Sequence, residues 1–330
     1  MINPPLSRST RGGSKDGPIF EEQGLRGKLR YQEPMSRHTT WRVGGPAERF
    51  YQPNDVEDLC DFLRQLPPEE PLFWMGLGSN LLVRDGGITG TVICMAGALD
   101  SYEFIDNDLF RALAGVPCAK VARVTAREGY TGGEFLVGIP GTVGGALAMN
   151  AGAFGGETWA LVRRVETVDR QGRRHVRDPS EFQVGYREVK GPKDEWFLSA
   201  DLQFVRDPGG KGEQRLRSLL SRRAKTQPLR QPNCGSVFRN PVGDFAARLI
   251  ERSGLKGLRI GDVQVSERHA NFMINLGRAK AADVETLMKR VRDVVAAVYG
   301  VQLLSEVRIV GKPLPSESGM NVSLSLEHDV

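Results

Sequence analysis

Apolar residues in this chain fall mostly into short runs broken by glycine and proline, with a few longer stretches of helical period. Residues 40–43 and 47–51 are two such runs around Gly44-Gly45-Pro46, the pattern of short strands flanking a turn. Beyond Pro53 and Asn54, the residues Val56, Leu59, Cys60 and Leu63 recur on one helical face until Pro67-Pro68 stops the helix. Residues 72–75, 92–95 and 109–113 read as strands. Helical spacing returns over 119–128 through Val121, Val124 and Thr125, with Gly129 as the stop. Residues 161–168 and 174–177 form a hairpin across Arg170-Gln171-Gly172, and 196–205 is a further strand.

The clearest break is Asp207-Pro208-Gly209-Gly210-Lys211-Gly212. Past it come an Arg- and Leu-rich helix over 213–225 and a long loop over 227–241 punctuated by proline. Asp244 is placed to cap a helix running to Arg252 and ended by Gly254. A strand over 271–275 precedes a helix over 283–299 built on Val284, Leu287, Met288, Val291, Val294, Val295 and Val298 and stopped by Gly300. Residues 301–310 close the chain's ordered part as a strand carrying Glu306. Strands interrupted by few helices predict an α+β fold rather than a doubly wound parallel sheet. The expected organisation is an N-terminal arm over 1–24, a first domain over 25–206 in two halves (about 25–97 and 98–206), a second over 207–312 and a tail over 313–330. Residues 1–17 are polar and lack the apolar segment of a signal peptide.

Composition narrows the function classes. The 330 residues are 40% hydrophobic and 26% charged, the mixture of a soluble globular protein, and no apolar run has the length of a membrane span. The net charge of +5 comes from scattered basic residues, which suits anionic small molecules and does not by itself point to nucleic acid. Cys60, Cys94, Cys118 and Cys234 form no CxxC pair, and His38, His175, His269 and His328 stand at no metal-ligand spacing. Reduced, buried thiols in a cytoplasmic protein without a metal are expected.

Two glycine-rich stretches stand out. Residues 138–157 hold seven glycines in twenty positions, yet Ile139, Val143, Leu147, Met149 and Phe154 are interspersed, so this is no linker. Glycine loses more backbone freedom on folding than any other residue, so the density requires special backbone angles or close approach. A ligand bearing phosphates or a flat ring could lie against such a main chain; tight packing of the chain on itself would also explain it, and the composition leaves both open. The second stretch, Gly76-Leu77-Gly78-Ser79-Asn80-Leu81, follows an apolar strand. It lacks the third glycine and acidic residue of a Rossmann fingerprint and the lysine of a P-loop. It could cradle a diphosphate or form a plain Asx turn.

Several motifs occur in one order: His38-Thr39-Thr40 with Val43-Gly44-Gly45; Gly76-x-Gly78-Ser79-Asn80-Leu81; Gly138-Ile139-Pro140-Gly141-Thr142-Val143-Gly144-Gly145 with Met149-Asn150-Ala151-Gly152-Ala153; Gly185-Tyr186-Arg187; Gly235-Ser236-x-Phe238-x-Asn240-Pro241; Gly254-Leu255-Lys256-Gly257; His269-Ala270-x-Phe272; and Glu306-Val307-Arg308. Over residues 25–312 the chain resembles the UDP-N-acetylenolpyruvoylglucosamine reductase family. The modest segment between Arg187 and Ser236 looks like that family's short form. The resemblance implies a two-part FAD-binding unit of the vanillyl-alcohol-oxidase type over 25–206 and a smaller α+β substrate domain over 207–312. It implies non-covalent FAD, wrapped by residues 76–81 and 138–145, with no attachment at His38. It also implies NADPH as reductant and an enolpyruvyl UDP-sugar as substrate, in a cytoplasmic enzyme of peptidoglycan synthesis; the sequence does not give the oligomeric state, with a monomer favoured.

Three positions match the family's catalytic motifs. Arg187, always charged and fork-shaped, would steady the negative charge that builds on the substrate carboxylate. Glu306 would sit beside the same carboxylate, which requires a raised pKa. Ser236 would donate a proton to the neighbouring carbon. Without the resemblance the three read as a surface arginine, a strand-end ion pair and a turn serine. Tyr186, Lys225, Gln227 and Asn240 are candidate substrate contacts; Lys225, Gln227 and the arginines near them could meet the UDP phosphates, with a solvated helix end as the equal alternative. A different flavin oxidase, or a non-enzymatic nucleotide-binding protein on the same scaffold, is less well matched, because the motifs at 236–240 and 306–308 lie outside the FAD-binding unit.

Overall fold

The computed structural model describes residues 24–106 and 108–315; the expected N-terminal arm and almost all of the expected tail lie outside them. The first sheet uses β1 (Lys28–Pro34), β2 (Pro46–Gln52), β3 (Leu72–Met75) and β5 (Ile88–Cys94), in the order β1-β2-β5-β3, while β4 (Leu81–Val83) stays apart from it. The pairing of β1 with β2 is antiparallel, and β5 lies parallel to both neighbours. Parallel neighbours need a crossover, and helix α1 (Val56–Gln65) lies in the connection between β2 and β3. Asp55 caps α1 by accepting from Asp58 N (2.9 Å), and the buried face holds Leu59, Cys60, Phe62 and Leu63, close to the face read from the sequence.

The run 40–43 is not a strand. Thr39 Oγ1 donates to Val43 O (2.8 Å) and Arg42 N to Thr39 O (3.0 Å), closing a tight turn with Arg42 at φ +57°. Its apolar residues serve a distant core. Trp41 is 0% exposed, and its indole N–H donates to Met273 O (2.7 Å).

The second sheet is antiparallel throughout. It holds β6 (Tyr102–Phe104), β7 (Leu109–Leu113), β8 (Val162–Asp169), β9 (Arg174–Arg177) and β12 (Glu195–Gln203), in the order β9-β8-β12-β7-β6. The expected hairpin at 170–172 is the β8–β9 turn, with Gly172 at φ +69°. A separate two-stranded hairpin, β10 (Gln183–Gly185) with β11 (Glu188–Lys190), projects before β12. Helices α2 (Cys118–Arg127) and α3 (Val143–Ala148) share one core with this sheet through Val121, Ala122, Val143 and Leu147. Leu216 of α4 (Lys211–Thr226) belongs to that core as well. In packing terms the break between units therefore falls near Gln227, one helix beyond the glycine turn at 207–212.

The C-terminal unit contains α5 (Ala246–Arg252), the antiparallel strands β13 (Arg259–Ile260), β14 (Val263–Val265) and β15 (Met273–Asn275), helix α6 (Ala281–Tyr299) and β16 (Arg308–Val310). Three local expectations change here. Asp244 does not cap α5 but pairs with Arg248, and Ala246 N is met by Asn240 Oδ1 (3.1 Å). Asn271 is not in a strand: its side chain accepts from Phe238 N (3.0 Å) and donates to Phe238 O (2.8 Å), standing in for a strand neighbour. Of residues 301–310 only the last three form a strand, preceded by a single bridge between Ser305 and Phe238.

This unit is built around residues of the first. Trp41, Val43 and Leu82 lie in its core with Val237, Leu287 and Val291. Strand β16 pairs in parallel with β4. Arg84 donates from two nitrogens to Glu285 of α6 (2.9 and 3.0 Å), and Asp85 accepts from Ala281 N and Ala282 N (3.1 and 3.0 Å), capping α6 from the other unit. Trp41→Ala should therefore destabilise the C-terminal unit although it lies far from it in sequence. Denaturant unfolding should show a loss of about 3–5 kcal/mol; a change under about 1 kcal/mol would mean the two units are not held this way.

Candidate active site

A cleft of about 490 Å³ lies where the two units meet. Its walls come from residues 76–81, the glycine-rich stretch, the tip of the β10–β11 hairpin, α4 and the C-terminal unit. The structure brings together Gly76, Leu77, Gly78, Ser79, Asn80, Leu81, Gly138, Ile139, Pro140, Gly141, Thr142 and Gly145 with Arg187, Gln227, Ser236, Asn240 and Glu306. Val143 and Gly144 fall outside this lining: their N–H groups donate to Val116 O (2.8 Å) and Ala114 O (2.9 Å), and Val143 is buried. Tyr186 is 58% exposed and Lys225 is exposed, and neither lines the cleft.

The glycines divide into two kinds. A Cβ at Gly76 would stand 2.3 Å from Thr142 Oγ1, and one at Gly144 would stand 2.8 Å from Ala114 Cβ. At Gly78, with φ +61°, it would lie 2.2 Å from His38 O. These positions are glycine because the chain packs on itself. Gly141 and Gly145 have nothing closer than 3.7 Å, and Gly235, at φ +83°, has nothing within 4 Å. These three leave backbone open toward the cleft. The packing reading of the glycine density therefore holds at the first set, while the second leaves main chain that a ligand could lie against.

Arg187 sits at the hairpin tip with φ +58°, a conformation non-glycine residues rarely adopt. Asn150 fastens that hairpin from the glycine-rich stretch. Its Nδ2 donates to Gly185 O (3.2 Å) and Glu157 Oε2 (3.0 Å), and its Oδ1 accepts from Trp159 N (3.2 Å). The result is an ion pair between Arg187 Nη2 and Glu306 Oε1 at 2.8 Å, with the Glu306 side chain 12% exposed. Arg187 Nε is buried with no hydrogen-bond partner among the described residues. Burial raises the Glu306 carboxyl above the ordinary glutamate value, against the opposing pull of Arg187 and Arg239.

Ser236 and Glu306 reach one wall through a short antiparallel contact. Glu306 N donates to Val237 O (2.8 Å), Phe238 bridges Ser305, and Arg239 N donates to Leu304 O (2.9 Å). Asn80 ties this wall to the first unit: Nδ2 donates to Glu306 O (3.0 Å) and its own carbonyl accepts from Arg308 N (3.0 Å). Asn80, expected to touch a cofactor, thus also fixes the backbone of Glu306. Asn240, expected to touch substrate, lines the cleft while capping α5. Cys234 lines it too, and burial holds its thiol well above the usual range, with no disulfide partner among the described residues.

Sequence reasoning missed Arg308, Phe272 and Phe154 in the lining, and offered Arg223 only as one of the arginines near Lys225. Arg308 stands two residues beyond Glu306, the same-face interval of an extended chain. Arg223 is one of several arginines on α4, and only the fold distinguishes it: it is half-buried, and Nη1 donates to Val137 O (3.0 Å). Among the described residues no group of histidine, cysteine or acidic side chains could hold a metal ion.

The two-sheet unit with its glycine-walled cleft and C-terminal cap defines an FAD-binding protein: residues 47–176 match the family described as FAD binding domain. Residues 227–310 match the family described as UDP-N-acetylenolpyruvoylglucosamine reductase, C-terminal domain. A UDP-N-acetylenolpyruvoylglucosamine reductase of Methylococcus capsulatus is 60% identical over 287 residues, covering 87% of this chain and 94% of that protein. One from Alkalilimnicola ehrlichii is 58% identical over 286 residues, covering 87% and 96%. The crystal structure of the Thermus caldophilus reductase superposes with a TM-score of 0.74 at 34% identity, covering 86% of this chain and 99% of that one. The chain belongs to the UDP-N-acetylenolpyruvoylglucosamine reductase family. Its residues fit the flavin that the FAD-binding domain implies. The backbone at Gly141 and Gly145 is open, Arg187 Nε is buried without a hydrogen-bond partner among the described residues, and Arg223 in the lining has only neutral partners.

Two predictions follow from this geometry. Gly141→Leu has room to fold but would fill the cofactor wall. The purified protein should unfold within about 1 kcal/mol of wild type while its flavin absorbance falls about tenfold; full flavin content would place the cofactor elsewhere. Glu306→Gln tests the raised carboxyl. A raised folded-state value stabilises the protein below the unfolded glutamate value, and that contribution is lost as pH rises through the folded value. Glutamine mimics the protonated form, so the melting temperature of the variant relative to wild type should rise as pH increases above the ordinary glutamate value of about 4.3. A difference constant with pH, or falling, would contradict the shift.

Proposed function

We propose that this chain reduces UDP-N-acetylenolpyruvoylglucosamine to UDP-N-acetylmuramate with FAD as bound cofactor and NADPH as reductant, a cytoplasmic step of peptidoglycan precursor synthesis. The observation that carries the reading is the meeting of Arg187 and Glu306 at 2.8 Å in a glycine-walled cleft that Ser236 also lines. Bound FAD supplies the chemistry of accepting a hydride from the nicotinamide and delivering it to the terminal carbon of the enolpyruvyl group.

The chain's own residues handle charge and protons. Arg187 holds the substrate carboxylate and balances the second negative charge that develops on it as the double bond is reduced. Its strained backbone and the Asn150 clamp fix the guanidinium before substrate arrives, so little reorganisation is needed. Glu306 can stand beside that carboxylate because burial favours its neutral form, which donates a hydrogen bond where an anion would repel. Ser236 gives its hydroxyl proton to the carbon that bears the carboxylate. Serine is a weak acid, and the basicity of a nascent carbanion is what makes it adequate. Gln227 and Asn240, on the C-terminal wall, hold the sugar nucleotide. Among the described residues no helix is long and apolar enough to cross a membrane.

Under anaerobic conditions the bound flavin should bleach with NADPH and recover its colour on addition of the enolpyruvyl UDP-sugar. Ser236→Ala should leave bleaching within about twofold of wild type and slow recovery by at least about a hundredfold, the range of general-acid catalysis. Equal damage to both half-reactions would remove Ser236 from the proton-donor role, and wild-type flavin that never recovers would reject the substrate.

A further inference from the structure

The motif His269-Ala270-x-Phe272 has no part in the chemistry above, yet its third residue, Asn271, is buried and bonded to the two residues that follow Ser236. Ser236 lines the cleft, and its hydroxyl makes no hydrogen bond among the described residues. Its aim is therefore set by the backbone on either side. Upstream, Gly235 stands at φ +83° and its N–H donates to Asn233 Oδ1 (2.9 Å), a short turn closed by a side chain. Downstream, the chain is pinned along both edges. On one edge Glu306 N donates to Val237 O (2.8 Å) and Arg239 N to Leu304 O (2.9 Å). On the other edge Asn271 does the work of a strand. Its backbone carbonyl accepts from Val237 N (2.9 Å), its Oδ1 accepts from Phe238 N (3.0 Å), and its Nδ2 donates to Phe238 O (2.8 Å).

A carboxamide suits this task because it carries a donor and an acceptor side by side, the pair that a neighbouring strand would offer. Phe238 is 1% exposed, so its N–H and C=O cannot turn to water and would be left unpaired without the amide. Asn271 is itself held. Ser266 N donates to Phe272 O (2.8 Å), Phe272 N to His269 O (3.0 Å), and Ser266 Oγ accepts from Arg268 N (3.2 Å). That closed turn delivers the amide just ahead of β15, where Met273 O is fixed by the Trp41 indole (2.7 Å). Asn271 is not in the cleft lining, so any effect it has on the reaction passes through the residues it holds.

We infer that Asn271 is the positioning residue for the Ser236 proton donor: by bonding both backbone groups of Phe238 it fixes the direction in which the Ser236 hydroxyl enters the cleft. The inference rests on the proposed function for the proton that Ser236 delivers. A displacement of about 1 Å in a reacting group can cost about a hundredfold in rate. Loss of the amide frees residues 236–239 on one edge only. The Ser236 hydroxyl then loses its aim, while Arg187 and the glycine-rich wall, which Asn271 does not touch, keep their places.

The test follows the two half-reactions of the FAD-loaded protein by anaerobic stopped flow in wild type, Asn271→Ala, Ser236→Ala and the double variant. NADPH should bleach Asn271→Ala within about twofold of the wild-type rate, while the limiting rate of recovery with the enolpyruvyl UDP-sugar falls about ten- to a hundredfold. The substrate concentration giving half that limiting rate should move by less than about threefold, because no group that holds the substrate has been removed. In the Ser236→Ala background the same substitution should cost less than about twofold more, since the residue it positions is already gone. If Asn271→Ala does not yield folded protein, Asn271→Asp carries the same comparison: it keeps the shape and the acceptor but not the amide donor to Phe238 O. Recovery of the single variant within about twofold of wild type, equal slowing of both half-reactions, or losses that multiply in the double variant would overturn the inference. Wild-type flavin that NADPH bleaches and the UDP-sugar never recolours rejects the proposed function and the inference with it, a result told apart because it appears without any variant.

Discussion

A guanidinium and a carboxyl from separate units meet at 2.8 Å in a largely desolvated cleft, and much of the molecule is arranged to make that contact possible. Neither group is comfortable there. Arg187 sits on strained backbone with one nitrogen unsatisfied, and Glu306 is shifted toward its neutral form by burial. An exposed ion pair would contribute little and would be screened by salt. Inside the cleft the same pair responds strongly to any further charge, because low local dielectric magnifies each interaction. The carboxylate of a substrate is the further charge such a pair can respond to.

Holding the pair depends on the joint between the units. Strands β4 and β16 run parallel across it, and Asn80 sits at the head of the seam with its side chain on Glu306 and its carbonyl on Arg308. Asp85 and Arg84 continue the joint to the start of α6. From the other side, Trp41 is sunk in the C-terminal core. Residues 41 to 85 thus serve both units, and the cleft is a consequence of how they are shared.

How much of this the sequence disclosed follows from the range of each interaction. Helices α1, α2 and α6 were legible because their apolar faces repeat locally and their stops are proline or glycine. The hairpin at Gly172 was legible for the same reason. Residues 40–43 have the composition of a strand and become a turn, because their burial is decided by Met273 and the core around it, far along the chain. The stretch before β16 was likewise read as a continuous strand, yet its pairing partners are the irregular residues around Phe238 and side chains such as Asn80. In the site, most residues of the glycine motifs fall on the cleft wall, but the motifs could not say which glycines face outward. Gly76 and Gly141 look alike in sequence and differ only in what lies across from them. Arg187, Ser236 and Glu306 emerged through family motifs, as residue type alone favoured ordinary surface roles.

The account stands on Glu306 carrying a proton at pH values where an ordinary glutamate has lost it. Carbon-13 labelling of glutamate carboxyls, with the Glu306 resonance assigned by its loss in Glu306→Gln, would read that proton directly. The resonance should titrate clearly above the usual glutamate value of about 4.3, and it should titrate lower when the protein is unfolded. A Glu306 carboxyl that titrates at or below the ordinary value in the folded protein would contradict the account, and with it the neutral hydrogen-bonding role beside the substrate carboxylate.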